Sequence, residues 1–269
     1  MFPETASDRE AATYGDEQRE RVGFFTDTTL CIGCKACEVA CKEWNELPAD
    51  GYAFSGHSYD NTLELSGNTW RHVAFVEQQA AEGPRWLMES DVCKHCTHAA
   101  CLDVCPTGAI VRTEFGTVVI QQDICNGCAY CVSACPYGVV AKKESDGDGR
   151  AGKCTMCYDR LKIGEEPACA KACPTESIQF GVLDDLRERA AKRLEEVGTR
   201  FEGARLYGHD PDDGVGGTGA FFLLLDRPEV YGLPPDPVVP TKRLGEMWQA
   251  AAAAAVCLGA VVAVAVASS

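Results

Sequence analysis

Positive charge is scarce in this chain: 25 Lys and Arg stand against 40 Asp and Glu, a formal net charge of −15. Nucleic-acid binding is built on clustered Lys and Arg, and no basic stripe exists here, so nucleic acid is excluded as a partner. The acidity serves solubility and repels wrong partners. Residues 1–22 contain neither an apolar h-region nor a twin arginine, and no signal peptide is expected there. Their mixed charge reads as a flexible arm, or one ordered only by a partner. No nucleophile beside a general base stands out, so no catalytic residue is expected in the chain.

Cysteine, by contrast, is abundant: 17 in 269 residues. All but Cys257 fall into groups: Cys31, Cys34, Cys37 and Cys41; Cys93, Cys96, Cys101 and Cys105; Cys125, Cys128, Cys131 and Cys135; Cys154, Cys157, Cys169 and Cys173. Triplets spaced two residues apart do not form the usual disulfide framework of a short secreted domain. Structural zinc sites generally use two separated cysteine pairs. Here the first and third groups read C-x₂-C-x₂-C-x₃-C. In three groups the last cysteine precedes proline, at Pro106, Pro136 and Pro174. Triplet, spacer, cysteine, proline is the thiolate ligand run of bacterial-type [4Fe–4S] ferredoxins, and four runs predict four [4Fe–4S] clusters.

In two-cluster ferredoxins the fourth cysteine of each run ligates the other cluster. The second and third groups are therefore expected to exchange: Cys93, Cys96, Cys101 and Cys135 on one cluster, Cys125, Cys128, Cys131 and Cys105 on the other. The first and fourth groups would pair around them. Cys31, Cys34, Cys37 and Cys173 would hold one cluster, and Cys154, Cys157, Cys169 and Cys41 the other. Spacing alone does not force this nested order; a tandem order, first with second and third with fourth, is also open. Lys35, Lys42, Lys94, Lys153 and Lys171 lie within a few residues of these cysteines, and each reads individually as an ordinary solvated lysine.

A repeat surrounds the groups. Pro106, Pro136 and Pro174 each start a turn before a short β-branched stretch: Ile110-Val111, Val139-Val140 and Ile178. Ala109–Arg112 and Thr117–Gln121 flank Glu114-Phe115-Gly116 as a hairpin. The first group instead runs on through Glu43-Trp44-Asn45-Glu46 as if helical. In the insertion between the first two groups, Val73, Phe75 and Val76 suggest a strand, and Trp44, Trp70 and Trp86 read as core or subunit-contact residues. Leu183–Val197 reads as an amphipathic helix, with Leu183, Leu186, Ala190, Leu194 and Val197 on one face and Gly198 as its stop. Gly214–Gly219 matches G-x-G-x-x-G but lacks a strand before and a helix after, so it reads as a turn. Asp146–Gly149 lacks the twelfth-position glutamate of a calcium loop and reads as a surface turn. Ala250–Ala267 carries no charge. As a helix it is ~27 Å long, close to the thickness of a bilayer core. Trp248, Lys242 and Arg243 precede it as interfacial anchors would, and Ala255, Gly259 and Ala263 form a small-residue face for another membrane helix.

The cysteine runs Cys31–Cys37 and Cys125–Cys128 resemble those of the four-cluster electron-transfer subunits of molybdopterin oxidoreductases. Lys42–Glu46, Tyr59-Asp60-Asn61, Gly214–Thr218 and Pro228–Pro234 resemble the iron–sulfur (β) subunit of membrane-bound formate dehydrogenase. The likeness runs from about residue 24 to the tail. It implies an α+β fold of two ferredoxin-like subdomains, each holding two [4Fe–4S] clusters, then a C-terminal extension and a single transmembrane helix. The corresponding limits are a polar arm 1–22 and a four-cluster region 23–182. Within that region, 23–60 plus 150–182 form one subdomain, 90–149 the other, and 61–89 the insertion. The extension is 183–243 and the membrane helix 244–267. The resemblance implies the nested cysteine pairing. It also implies a molybdenum or tungsten–pterin catalytic α subunit beside the first/fourth unit, and a membrane cytochrome b γ subunit beside the second/third unit. The cluster region would then lie outside the cytoplasm, whereas Lys242 and Arg243 before the helix favour the cytoplasmic side.

Overall fold

The computed structural model describes residues 13–14, 19–49, 56, 59–80, 83–143 and 149–267. Asp146, Gly147 and Asp148 of the acidic turn, and most of residues 1–18, lie outside these. β1 (Thr13–Tyr14) lies parallel beside β5 (Ile110–Thr113), which pairs antiparallel with β6 (Val118–Ile120). Arg19 N–H donates to the Glu114 carbonyl at 3.2 Å. Buried Arg21 donates to Thr97 Oγ1 at 2.6 Å and to the His95 carbonyl at 2.8 Å. The described part of the arm is thus tied to its own chain rather than awaiting a partner. Gly116, at φ +74°, turns the β5–β6 hairpin.

A second sheet has the order β10-β11-β2-β9, formed by Arg205–Tyr207, Ala220–Leu224, Val22–Asp27 and Ile178–Val182. β11 runs parallel to β2 and is buried on both faces. Its unbroken run Phe221-Phe222-Leu223-Leu224 suits such a strand. Phe221 and Leu223 meet Phe25 and the apolar stripe of α6 (Leu183–Gly198); Phe222 and Leu224 meet Leu87, Tyr207, Tyr231 and Leu233. The Phe25 and Phe221 rings stack at 5.3 Å. Because β10 and β11 complete the sheet of β2 and β9, a boundary at residue 183 cuts one sheet. Gly198 does not stop α6: it is the last helical residue, and Thr199 is the cap. A glycine there costs the helix only about 1 kcal/mol.

α1 (Ala36–Trp44) carries Cys37 and Cys41 and ends before Asn45-Glu46. The insertion is a long hairpin of β3 (Arg71–Ala80) and β4 (Gly83–Val92), with Arg71 opposite Val92. Only β3 was legible as a strand, because Pro84, Arg85, Glu89, Ser90 and Asp91 break the apolar alternation of β4. The hairpin runs past residue 89 and ends against Cys93. Trp70 packs against the core, whereas Trp44 and Trp86 are 41% and 58% exposed; Trp44 donates to Asp159 at 2.8 Å and lies under Arg160, and Trp86 packs on Tyr59. The turns after the last cysteines hold short helices before them: α2 (Ala100–Asp103), α3 (Tyr130–Ala134) and α5 (Ala168–Lys171), with α4 (Tyr158–Lys162) after Cys157. The third turn leads to β7 (Ala141–Lys142), paired with β8 (Ala151–Gly152), so its strand begins just beyond Val139-Val140. α7 (Leu244–Ala267) leaves the body as an apolar helix with no buried face.

The largest buried cluster contains Cys37, Cys93, Cys154 and Cys169 together with Phe24, Val73, Val92, Met156 and Ile178. The core is therefore built around sulfur.

Candidate functional site

The four C-x₂-C loops share a backbone feature. The residue before each second cysteine has positive φ: Gly33 at +66°, His95 at +45°, Gly127 at +72° and Met156 at +56°. Successive N–H groups in such turns point to one side and form a concavity for an anion, a geometry found at iron–sulfur sites. Glycine announces this at 33 and 127. At 95 and 156 burial holds a side chain in a conformation that L residues avoid. Gly127 has a second constraint, since a Cβ there would lie 2.7 Å from the Gly149 carbonyl oxygen. Gly127→Ala is expected to cost about 1–2 kcal/mol in backbone strain alone, with the clash in addition. Iron content should fall by about one cluster's four atoms, measured on purified protein. Wild-type iron and Tm would refute this account of the loop.

The turn after the last cysteine is also repeated. Burial acts to raise Cys105, but the Thr107 hydroxyl and the N–H groups of Ile110, Thr107 and Ala109 outweigh it and lower its pKa. Burial likewise raises Cys135, and there the N–H groups of Val139, Tyr137 and Val140 offset it only in part. The donors fall at the same offsets from each cysteine. The proline thus starts a turn that aims N–H groups at sulfur. Thr107 and Thr175 place hydroxyls 3.6 Å and 3.8 Å from the sulfurs of Cys105 and Cys173.

The sixteen grouped cysteines converge in four places. Cys31 is pushed up to about 11, first by burial and then by the charges of Cys37, Cys173 and Cys34 around it. Burial raises Cys41 well above the usual thiol range, with Cys154, Cys169 and Cys157 as its neighbours. Cys96 is raised by burial and by Cys93, Cys135 and Cys101. Cys131 is pushed up to about 11 by burial and by Cys125, Cys105 and Cys128. Cys173 thus lies near the first triplet and Cys41 near the fourth group, while Cys135 lies near the second group and Cys105 near the third, the neighbourhoods that the nested exchange requires. Influences between the four sets follow one order: Cys169 acts on Cys37, Cys93 on Cys154, and Cys131 on Cys101. Cys257 stands apart in α7.

The donor chemistry fits a polynuclear iron–sulfur group. Buried thiols crowded by other sulfurs stay protonated until a metal supplies positive charge. One small cavity is lined by Cys93, Cys96, Cys101 and Cys135, and another by Cys105, Cys125, Cys128 and Cys131.

The shell around the sulfurs contains residues whose role the sequence did not disclose. The Gly214–Gly219 turn closes over the second group: His98 N–H donates to the Val215 carbonyl at 2.8 Å and Thr97 N–H to the Gly217 carbonyl at 3.0 Å. A Cβ on Gly216 would clash with the His98 ring, so the glycines serve close approach, not a nucleotide. The Tyr59-Asp60-Asn61 turn meets the first group through Lys35, whose Nζ lies 2.8 Å from Asp60 and 3.1 Å from Glu38. His72 lies between those two carboxylates at 3.2 Å and 3.4 Å. Lys94 and Lys153 are not solvated: they are 1% and 2% exposed. Lys94 pairs with Asp91 and sits over the rings of Phe222 and Tyr137.

Two family models, each described as a 4Fe-4S dicluster domain, match residues 30–109 and 84–183. Fold, sulfur sets and these matches define the class: a ferredoxin-type protein with two dicluster domains and four [4Fe–4S] clusters. The formate dehydrogenase iron-sulfur subunit of Haemophilus influenzae is 40% identical over 228 residues, covering 83% of this chain and 72% of that protein. The formate dehydrogenase-O iron-sulfur subunit of Escherichia coli is 41% identical over 226 residues, covering 82% and 73%. The B subunit of the anaerobic dimethyl sulfoxide reductase of Escherichia coli is 38% identical over 167 residues, covering 62% and 76%. The chain belongs to the family of formate dehydrogenase iron–sulfur subunits. It is a non-catalytic electron-transfer subunit of an oxidoreductase complex, and so works with a catalytic partner.

Proposed function

We propose that this subunit carries electrons from a molybdenum or tungsten–pterin formate dehydrogenase subunit to a membrane cytochrome b and quinone. Cluster one takes Cys31, Cys34, Cys37 and Cys173; cluster two Cys154, Cys157, Cys169 and Cys41. Cluster three takes Cys93, Cys96, Cys101 and Cys135; cluster four Cys125, Cys128, Cys131 and Cys105. Bound clusters supply one-electron chemistry. The chain holds them, shields them from water and sets their potentials through sulfur hydrogen bonds and nearby charge.

The observation that carries this reading is the pattern of exposure. Of these sixteen cysteines, only Cys34 and Cys128 are exposed, one in each terminal set. Exposed Ile32 and Val39 flank the first, and exposed Ile124 and Tyr130 the second. A wire must be open at its ends and insulated between them. The membrane end is set by the root of α7. Thr241 donates to Asp103 on α2, which carries Cys101, and buried Val239 packs against Ala100. The third and fourth clusters therefore face the membrane, and the first faces the catalytic subunit. We place the cluster region outside the cytoplasm, as the family resemblance implies. Protease accessibility in intact cells and inverted vesicles tests this against the opposite bias of Lys242 and Arg243.

Purified alone, the chain should be brown, hold about sixteen irons, four per cluster, and reduce and reoxidise without turning over formate. A colourless zinc-loaded protein, or formate turnover without a partner, would sink the proposal. The likeness to the B subunit of dimethyl sulfoxide reductase supports a second reading, a wire for another molybdopterin oxidoreductase. Affinity purification of the native complex, assayed with formate and with dimethyl sulfoxide, separates the two.

A further inference from the structure

Two buried cations occupy the spaces between the sulfur sets. The Arg71 guanidinium is 1% exposed, lies 4.9 Å over the Phe24 ring, and donates from Nη1 to Ser90 Oγ at 3.0 Å. Ser90 Oγ is in turn 3.3 Å from Cys37 Sγ. Arg71 Nε and Nη2 are buried with no hydrogen-bond partner. Unpaired buried N–H groups are costly, and each such case calls for an acceptor. The sulfurs nearest in charge are Cys169, Cys37, Cys154 and Cys41, from both of the first two sets; they hold Arg71 charged against its burial. Lys153 Nζ donates to the carbonyls of Val118 and Cys154. Val118 lines the same cavity as Cys93, Cys96, Cys101 and Cys135, so Lys153 stands between the second set, at Cys154, and the third.

Neither cation has a carboxylate ion pair among the described residues, unlike Lys94 with Asp91. Glu89 nearby is buried, and burial followed by Asp91 raises its pKa well above the usual carboxylate value, which works against a charged carboxylate near the guanidinium. A reduced cluster carries one more negative charge than an oxidised one, and neighbours repel in a low-dielectric interior. A fixed cation between them stabilises the added electron on either one.

We propose that Arg71 and Lys153 are potential-setting residues of the wire, Arg71 shared by clusters one and two through its unpaired N–H groups, and Lys153 shared by clusters two and three. Each raises the reduction potentials of the two clusters it separates. The inference rests on the proposed ligand sets, and its test distinguishes the two failures.

The experiment is an EPR-monitored redox titration of the full-length chain in its native complex. Cluster signals are first assigned with single Cys→Ser variants of each set. Arg71→Gln should make clusters one and two about tenfold harder to reduce, about 59 mV for one electron. Clusters three and four should not move. Arg71→Lys should restore most of the shift. Lys153→Gln should shift clusters two and three in the same way. Should Arg71→Gln lose iron, Ser90→Ala provides the milder probe. It removes only the hydroxyl between Cys37 and Arg71 and should lower the potential of cluster one alone. Unchanged potentials in iron-replete Arg71→Gln, or in Ser90→Ala where that is used, overturn the proposal. So does a uniform shift of all four clusters. If the Cys→Ser variants instead assign different sulfurs to each signal, it is the ligand sets that fail.

Discussion

Cys41→Ser is expected to destroy or convert the cluster held by Cys154, Cys157 and Cys169, and to spare the cluster of Cys31, Cys34 and Cys37. Cys41 belongs to the first group in sequence and sits on α1 one turn beyond Cys37. Its thiol nevertheless lies among the fourth group's sulfurs, and Asn45 Nδ2 donates to it at 3.7 Å. Loss of one of four thiolates from a buried site leaves three sulfurs crowded around incomplete coordination. Iron content should drop by about four atoms, one cluster, and one EPR signal should vanish. Cys173→Ser is the mirror experiment: it should remove the signal of the first triplet although Cys173 lies in the fourth group. If Cys41→Ser abolishes only the signal of Cys31, Cys34 and Cys37, each group keeps its own cluster and the exchange is wrong.

Removing α7 is expected to abolish retention on membranes while the protein keeps its clusters, the outcome that the proposed anchor role requires. The helix is 24 residues long, about 36 Å at 1.5 Å per residue, and projects from the body with no buried face. The buried clusters of the fold do not use it. Truncation after Arg243 should therefore leave iron content and Tm near wild type, while the protein moves from the membrane to the soluble fraction. Ala254→Arg in the intact chain puts a charge near the middle of the apolar span. It should cost insertion roughly 2.5–3.5 kcal/mol and reduce the membrane-bound fraction in carbonate extraction. Gly259→Leu should leave insertion intact and weaken association with a neighbouring helix, because it fills the small-residue face. Retention of the truncated chain on membranes stripped of partner subunits would show that α7 is not the anchor.

Local signals were legible and remote ones were not. The cysteine runs, the β5–β6 hairpin and the α6 stripe are written in residues a few positions apart, where spacing and periodicity act directly. The glycines at 33 and 127 disclose their left-handed loops, but His95 and Met156 adopt the same conformation only because the packed interior imposes it. Lys153 looked solvated because nothing in its neighbourhood in sequence reveals that β6 and the second and fourth groups close around it. Arg71 gave no signal at all, standing at the start of a strand far from any cysteine in the chain. Spacing alone left nested and tandem pairing open because that choice depends on contacts between groups far apart in sequence. Gly214–Gly219 resembled a nucleotide motif, yet its glycines serve the close packing of a loop on the Lys94–His98 segment.

The parallel pairing of β2 with β11 also bears on how the protein is made. A ribosome delivers Val22 long before Ala220, so this sheet cannot close until β11 has been made. The sulfur sites that lean on β2 stay open through most of synthesis. Metal loading is expected only once β11 has joined β2, and a cysteine-rich, half-closed chain has to be kept reduced until then.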